Sequence, residues 1–330
     1  MPRVDPGHEG TDVILAQIER RIRRVYRQAE KDVEAKWKEY VRTFEEEDKK
    51  QAARLAAGEI SKQDYQKWRT RHIAMGKRWE KLKDTLAEDY HKANLIAAQM
   101  ARDGMADVYA LNLNYGTYMI ENSGRIDTGF TLYNHDAAEA LLQSEWAISP
   151  ESGKNAFLPK PSPQKRAWLR ENADKLWNAD KIQAAVTQGI LTGESAYDMA
   201  KRLMHVGEMD QNQAIRNART MGTNVQNYGR VKAANRAASL GVKLMDEWVA
   251  ILDHSTRHSH RMMHGKRKVH DQDVPFENGC RWPGDPSGPA EEIYNCRCDI
   301  ISWVQGFEGD TVKYNEAMGE MTFEEWQEAK

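Results

Sequence analysis

The chain has 330 residues, 40% hydrophobic and 30% charged, with 48 Lys and Arg against 50 Asp and Glu. That length suffices for two or three cores, the mean hydropathy of −0.80 puts much of the chain on exposed helix surface, and the charge balance excludes a bulk nucleic-acid binder. The absence of a run of about 18 apolar residues excludes a membrane-spanning helix, the start MPRVDPGHEG has no apolar core for a signal peptide, and three cysteines argue against a disulfide framework, so a reducing, cytosolic compartment is expected.

The first predicted element follows Thr11 and Asp12, either of which suits a helix N-cap. Ile14, Ile18, Ile22, Val25, Ala29, Val33, Trp37, Tyr40 and Phe44 recur at steps of three and four, and Val13 to Ala57 contains neither Gly nor Pro. The spacing predicts one long amphipathic helix with a narrow apolar stripe. Gly58 punctuates it, and Ser61 to Asp64 resembles a capping box. Helical spacing resumes through Trp68, Ile73, Trp79, Leu82, Leu86, Tyr90 and Met100, breaks at Asp103-Gly104, and continues over Met105 to Glu121. The aromatic residues of this region (Trp37, Tyr40, Phe44, Trp68, Trp79, Tyr90) are read as helix–helix packing.

Asn122 to Pro163 is irregular, with Ser-Gly, Ile-Asp-Thr-Gly and LPKPSP, apart from a short helix near Asp136 to Trp146. Ser162-Pro163 suits a helix start. Helices are then expected at about 164–177, 180–189, 195–205 and 210–239, separated by Gly189, Thr192-Gly193 and Gly207 and ended by Gly241. Beyond it the period changes. Glu247 to Leu252 and Asp299 to Val304 read as strands, and Phe323 to Ala329 as a short acidic helix capped by Thr322. Charge is segregated: Lys201 to His270 holds 13 Lys or Arg against 5 Asp or Glu, whereas Gln305 to the end holds 7 acids against 2 lysines. The fold class expected is α+β: long amphipathic N-terminal helices and a helical middle, then a small, strand-containing, loop-rich C-terminal domain. The corresponding boundaries are a helical arm over 1–125, an irregular linker over 126–162, a helical domain over 163–242, the C-terminal domain over 243–305 and an acidic tail over 306–330.

Between the two expected strands lie Asp253, Thr256-Arg257, Ser259-His260-Arg261, Gly265, Phe276, Asn278-Gly279 and Pro283-Gly284-Asp285-Pro286. Gly288-Pro289, Glu291-Glu292 and Asn295-Cys296-Arg297-Cys298 complete the series. This arrangement resembles the C-terminal domain of phage Mu protein F-like minor head, or head-morphogenesis, proteins. The preceding helix fits the same family, with Arg216-Asn217-Ala218-Arg219-Thr220, Asn224, Asn227, Gly229 and Arg230. The resemblance covers about 180–304. It implies a minor structural protein of a tailed-phage head that acts in procapsid morphogenesis and in DNA packaging or ejection. The implied partners are the portal protein, the major capsid or scaffolding protein and packaged double-stranded DNA, with no membrane. The implied location is the host cytoplasm during assembly and then the head interior.

Chemistry inside the motif is read from the residues. Cys296 and Cys298, two apart, share one face of a strand. With His260 or His258, and with Cys280 as a further donor, they supply the thiolate and imidazole that zinc takes. The alternative is a loop-rich domain in which the cysteines are simply buried. Asp253 with His260, or Glu291 and Glu292 near Cys298, are groups able to do acid–base work, but no nucleophile elbow, phosphate loop or HExxH assigns a reaction. The rival class is therefore a metal-dependent nuclease or transferase carried in the virion, against a plain structural role in which Asp253 and Thr256 cap a turn and the glutamates are solvated. Arg216, Arg219, Arg230, Lys232 and Arg236 form a basic helix face suited to DNA or to an acidic portal rim, or simply to solvent. Asn278-Gly279 and Pro283 to Pro286 are turn chemistry, read equally as a docking loop or as a tight connection.

Overall fold

A computed structural model of the chain describes residues 5–145, 163–306 and 322–330. The Pro-rich stretch up to Ser162 and most of the acidic segment lie outside these residues. The helices are α1 (Pro6–Arg42), α2 (Glu45–Ala56), α3 (Lys62–Ile73), α4 (Lys77–Gly124), α5 (His135–Glu145), α6 (Pro163–Thr192) and α7 (Ala196–Ser239). There follow β1 (Leu244–Val249), α8 (His258–Met263), β2 (Arg267–Val269), α9 (Ala290–Ile293), β3 (Asp299–Val304) and α10 (Phe323–Ala329). The α+β reading holds: long helices precede one small antiparallel sheet, ordered β2-β1-β3. No helix among the described residues is long and apolar enough to cross a membrane.

Helix boundaries differ from the sequence expectations for physical reasons. Helix α1 begins at Pro6, not beyond Thr11. Asp5 caps it by accepting from the His8 amide (3.0 Å), and Pro6 needs no donor in the first turn. The run ends at Arg42, where the Thr43 hydroxyl takes the Tyr40 carbonyl (2.7 Å) in competition with the helix ladder. Gly104 and Gly207 do not break their helices. A Cβ on Gly104 would come within 2.4 Å of Ile18 Cδ1, and one on Gly207 within 2.6 Å of Tyr90 Cε1. These glycines buy close helix packing. Gly193 and Gly241 do terminate helices, in the left-handed region at φ 79° and 89°. Helix α10 is capped as expected: Thr322 and Glu325 form a reciprocal capping box.

The chain forms two compact units, with boundaries inside α1, α4 and α7. The second unit comprises Arg20–Met100 and Phe157–Ile215. Its core is aromatic: Trp37, Trp79 and Tyr90 are buried, with Trp37 and Trp79 in an edge contact at 6.5 Å. Each polar edge is satisfied. Trp37 donates to the Ala196 carbonyl (2.8 Å), Trp79 to Gln183 (2.6 Å) and Tyr90 to the Leu203 carbonyl (2.8 Å). Tyr40 joins this core, while Phe44 and Trp68 are only half-buried.

The first unit comprises Met1–Glu19, Ala101–Ala156 and Arg216–Lys330. Within it the backbones of α4 and α7 approach closely. A Cβ on Gly229 would meet the Tyr109 carbonyl at 3.0 Å, and one on Gly116 the Arg230 Cα at 3.1 Å. In the sheet, Leu244 pairs with Val304 and Val249 with Asp299, so β1 begins three residues before the expected strand. Asp246 and Glu247 are buried on β1. Asp246 accepts from Ser302 (2.7 Å) and His270 (2.8 Å), and Glu247 from Trp303 (3.0 Å) and Arg267 (2.8 Å). The three-residue strand β2, Arg-Lys-Val, is exposed at both ends and too short to show an apolar alternation for a sequence reading to find. Phe323 and Trp326 of α10 are buried, the former against Tyr115 and Tyr118, and Trp326 donates to Glu121 (2.8 Å).

Candidate functional site

The C-terminal half of α7 presents a row of short polar side chains to the backbone between β2 and β3 and to the start of β3. The Thr223 hydroxyl donates to the Cys296 carbonyl (2.6 Å). The Asn227 amide donates to the carbonyls of Pro283 (3.1 Å) and Cys298 (3.0 Å), and its oxygen accepts from the Ile300 amide (2.8 Å). Asn224 accepts from the Trp282 indole (3.3 Å). This helix face therefore satisfies buried backbone that no ladder reaches.

The motif residues are mostly turn chemistry. Asn295 sits at φ 55°, which asparagine tolerates, and its turn brings Cys296 round to the helix. Gly284 sits at φ 80°, and a Cβ there would meet the Asn224 amide at 3.1 Å. Asp285 is buried, accepting from the backbone of Arg281 and Ser287 and from the Arg281 guanidinium. Gly265, at φ 76°, turns the chain into β2 while its amide donates to the Trp248 carbonyl (2.8 Å). Asp253 accepts from Ser255 and Thr256, and Arg297 clamps it at 2.8 Å; this guanidinium and these hydroxyls hold its carboxyl well below the usual carboxylate range. Arg257 donates to the Tyr294 carbonyl. Asp253 is thus tied to Arg297 rather than to His260, which serves a different cluster.

That cluster joins α8 to the segment before β3. His260, Cys296 and Cys298 are all buried, and their donor atoms lie within 4.8 Å of one another. His260 Nδ1 is 3.2 Å from Cys298 Sγ and 3.7 Å from Cys296 Sγ. The opposite ring nitrogen lies 2.9 Å from a Glu292 carboxylate oxygen, too far off line for a good hydrogen bond but close enough for an ion pair. Trp248 packs edge-on against the imidazole at 5.6 Å. Cys280 belongs to the same buried apolar cluster, as do Phe276 and Trp282, but it is not one of the three converging donors.

The two thiols and the imidazole are electrostatically coupled. Hydrogen bonding from Cys298, helped by His260, brings the Cys296 thiol down, while that same hydrogen bond, burial and the Cys296 charge push Cys298 up. Burial opposes charge on His260, but Cys296 and Glu292 more than offset it and its pKa rises. Burial pushes the Cys280 thiol up to about 12. Glu292 was expected to be solvated; its side chain is only 13% exposed and faces the imidazole. Its place behind His260 was not legible, because nothing in the 31 intervening positions marks the two as neighbours.

The basic residues of α7 are not brought into one surface. Arg230 is buried, its guanidinium bidentate on Asp5 (2.9 Å each) and bonded to Asn112 (3.0 Å). A duplex or neighbouring protein cannot reach it there. Arg236 donates to the hydroxyl and carbonyl of Thr128 (2.9 and 3.1 Å). Arg219 is exposed and pairs with Glu19, Arg216 is exposed, and the Lys232 ammonium lies over the Tyr228 ring at 5.4 Å.

Residues 180–301 match the family Phage Mu protein F like protein. This Mu F-like segment bears out the resemblance read from the sequence, and it includes α7 as well as the sheet and loops. Two relatives extend the comparison. The chain is 28% identical over 212 residues to the NAD(+)--arginine ADP-ribosyltransferase EFV of Enterococcus faecalis (strain ATCC 700802 / V583), covering 63% of this chain and 40% of that protein. It is 25% identical over 298 residues to the minor head protein GP7 of Bacillus phage SPP1, covering 89% of this chain and 85% of that protein. The chain thus spans well under half the length of the first relative and most of the second. No solved structure gives a significant match.

Proposed function

We propose that this chain is a minor structural protein of a tailed-phage head and acts in head morphogenesis by binding rather than by catalysis. The observation that carries this reading is the similarity to the SPP1 minor head protein GP7, which runs along 89% of this chain and 85% of that protein. The Mu F-like segment supports it, since its motif residues are engaged in holding backbone. On this reading the chain assembles in the host cytoplasm with the portal protein and the major capsid or scaffolding protein. It is then retained in the head interior near packaged DNA, for packaging or ejection. Of the basic residues on α7, Arg216, Arg219 and Lys232 are the ones retained as contacts to DNA or to an acidic portal rim; Arg230 and Arg236 are committed to the fold.

The test is co-expression with the portal, capsid and scaffolding proteins of the same phage genome. The protein is expected to co-purify with the portal and to enter procapsids in few copies. Absence from both would overturn the reading. The match to the ADP-ribosyltransferase covers 40% of that protein, and the transferase activity is not carried over. Incubation of the purified chain with NAD+ is expected to leave the dinucleotide intact; its consumption would overturn the binding-only role.

A further inference from the structure

We infer that His260, Cys296 and Cys298 hold a zinc ion whose fourth tetrahedral position is taken by water, with Glu292 facing the opposite side of the imidazole. A tetrahedral zinc with bonds of about 2.3 Å to sulfur and about 2.0–2.1 Å to nitrogen sets its nitrogen and sulfur ligands about 3.6 Å apart. The two separations from His260 Nδ1, 3.2 and 3.7 Å, bracket that distance. Glu292 lies at the other ring nitrogen, 2.9 Å away as an ion-pair contact, and its negative charge favours the tautomer that carries the proton there and leaves Nδ1 to the metal. All three ligands are buried, so a bound ion would sit inside the fold with one water completing its tetrahedron.

The position in the fold gives such an ion a purpose. Residues 250–298 contain only two short helices and a three-residue strand. An ion would tie α8 to the turn before β3, much as a disulfide would in an oxidising compartment. The soft donor set selects zinc over calcium or magnesium, which take oxygen ligands. Cys280 is left out of the ligand set: its thiol is turned towards Gly288, where a Cβ would come within 2.4 Å of the sulfur.

The test uses the full chain purified from zinc-containing medium without chelators. Metal analysis is expected to find about one zinc per chain, as in other sites of this donor type. Replacement by cobalt should give a thiolate-to-cobalt charge-transfer band. His260→Ala and Cys296→Ser should lose both signals, Cys280→Ser should keep both, and Glu292→Gln should weaken zinc binding about 10–100-fold. Should the ligand variants fail to fold, cobalt titration of the wild-type chain decides. A wild-type protein that is folded by circular dichroism, purifies without zinc and gives no cobalt band would overturn the site. Loss of metal on Cys280→Ser would overturn the three-ligand assignment.

Discussion

Asn227 and Arg230 lie one turn apart on α7, and each joins parts of the chain that are remote in sequence. Asn227 bonds backbone at Pro283, Cys298 and Ile300; Arg230 reaches Asp5, 225 residues away. The sequence displays Arg230 as one of several basic residues on a helix, and nothing local marks it as buried. Its burial follows from a partner that also caps α1. Removing one member of a buried ion pair strands the other, at a cost of about 3–5 kcal/mol. Arg230→Ala and Asp5→Ala should each lower the denaturant midpoint by that order. Arg230→Lys should not restore it, because an ammonium cannot hold Asp5 bidentately and bond Asn112 as well. A lysine variant of wild-type stability would show that the fork geometry is unimportant.

At the level of the helix, glycine is where sequence and structure part most clearly. Gly104, Gly189 and Gly207 read as breaks in the helical pattern, yet all three lie inside helices. Their side-chain positions are occupied by Ile18, Met199 and Tyr90 respectively. A sequence shows that a side chain is missing but not that a neighbour fills the gap. In an exposed helix, Gly→Ala gains up to about 1 kcal/mol. Gly207→Ala should do the reverse and cost about 1–3 kcal/mol, because the added methyl meets a buried tyrosine ring that is itself held at the Leu203 carbonyl. Thermal unfolding gives the sign directly, and a raised melting temperature would refute the packing role. The capped termini were easier to read. Ser61 and Thr322 each begin a helix as their capping patterns indicated, since a cap is a local arrangement of four residues.

For the molecule as a whole, the first unit draws on three separated stretches of chain. Periodicity foretold the helices and the motif foretold the Mu F-like segment, but pairings over such distances leave no local trace. One of them governs pH dependence. His8, near the start of α1, lies 3.2 Å from Asp299 on β3 and 3.6 Å from Asp12, with Gln226 and the Asp5 carboxylate also close. The Asp299 charge outweighs burial and raises the His8 pKa from 6.5 to about 9. A raised folded-state pKa stabilises fully below 6.5, and that contribution is lost as pH rises through 9. The loss should be on the order of 2 kcal/mol once partial exposure of the ring is allowed for. Denaturant midpoints should therefore fall across this window in the wild type and stay flatter in His8→Gln; equal slopes would remove His8 as the cause.

The polar row on α7 also limits how the Mu F-like segment can be moved between proteins. Thr223 and Asn227 supply the partners of the Cys296, Cys298 and Ile300 backbone, so a fragment cut after the helix would carry these groups unpaired. Anyone transplanting the cysteine-bearing loop onto another scaffold must transplant the helix with it. The portable module is the pair.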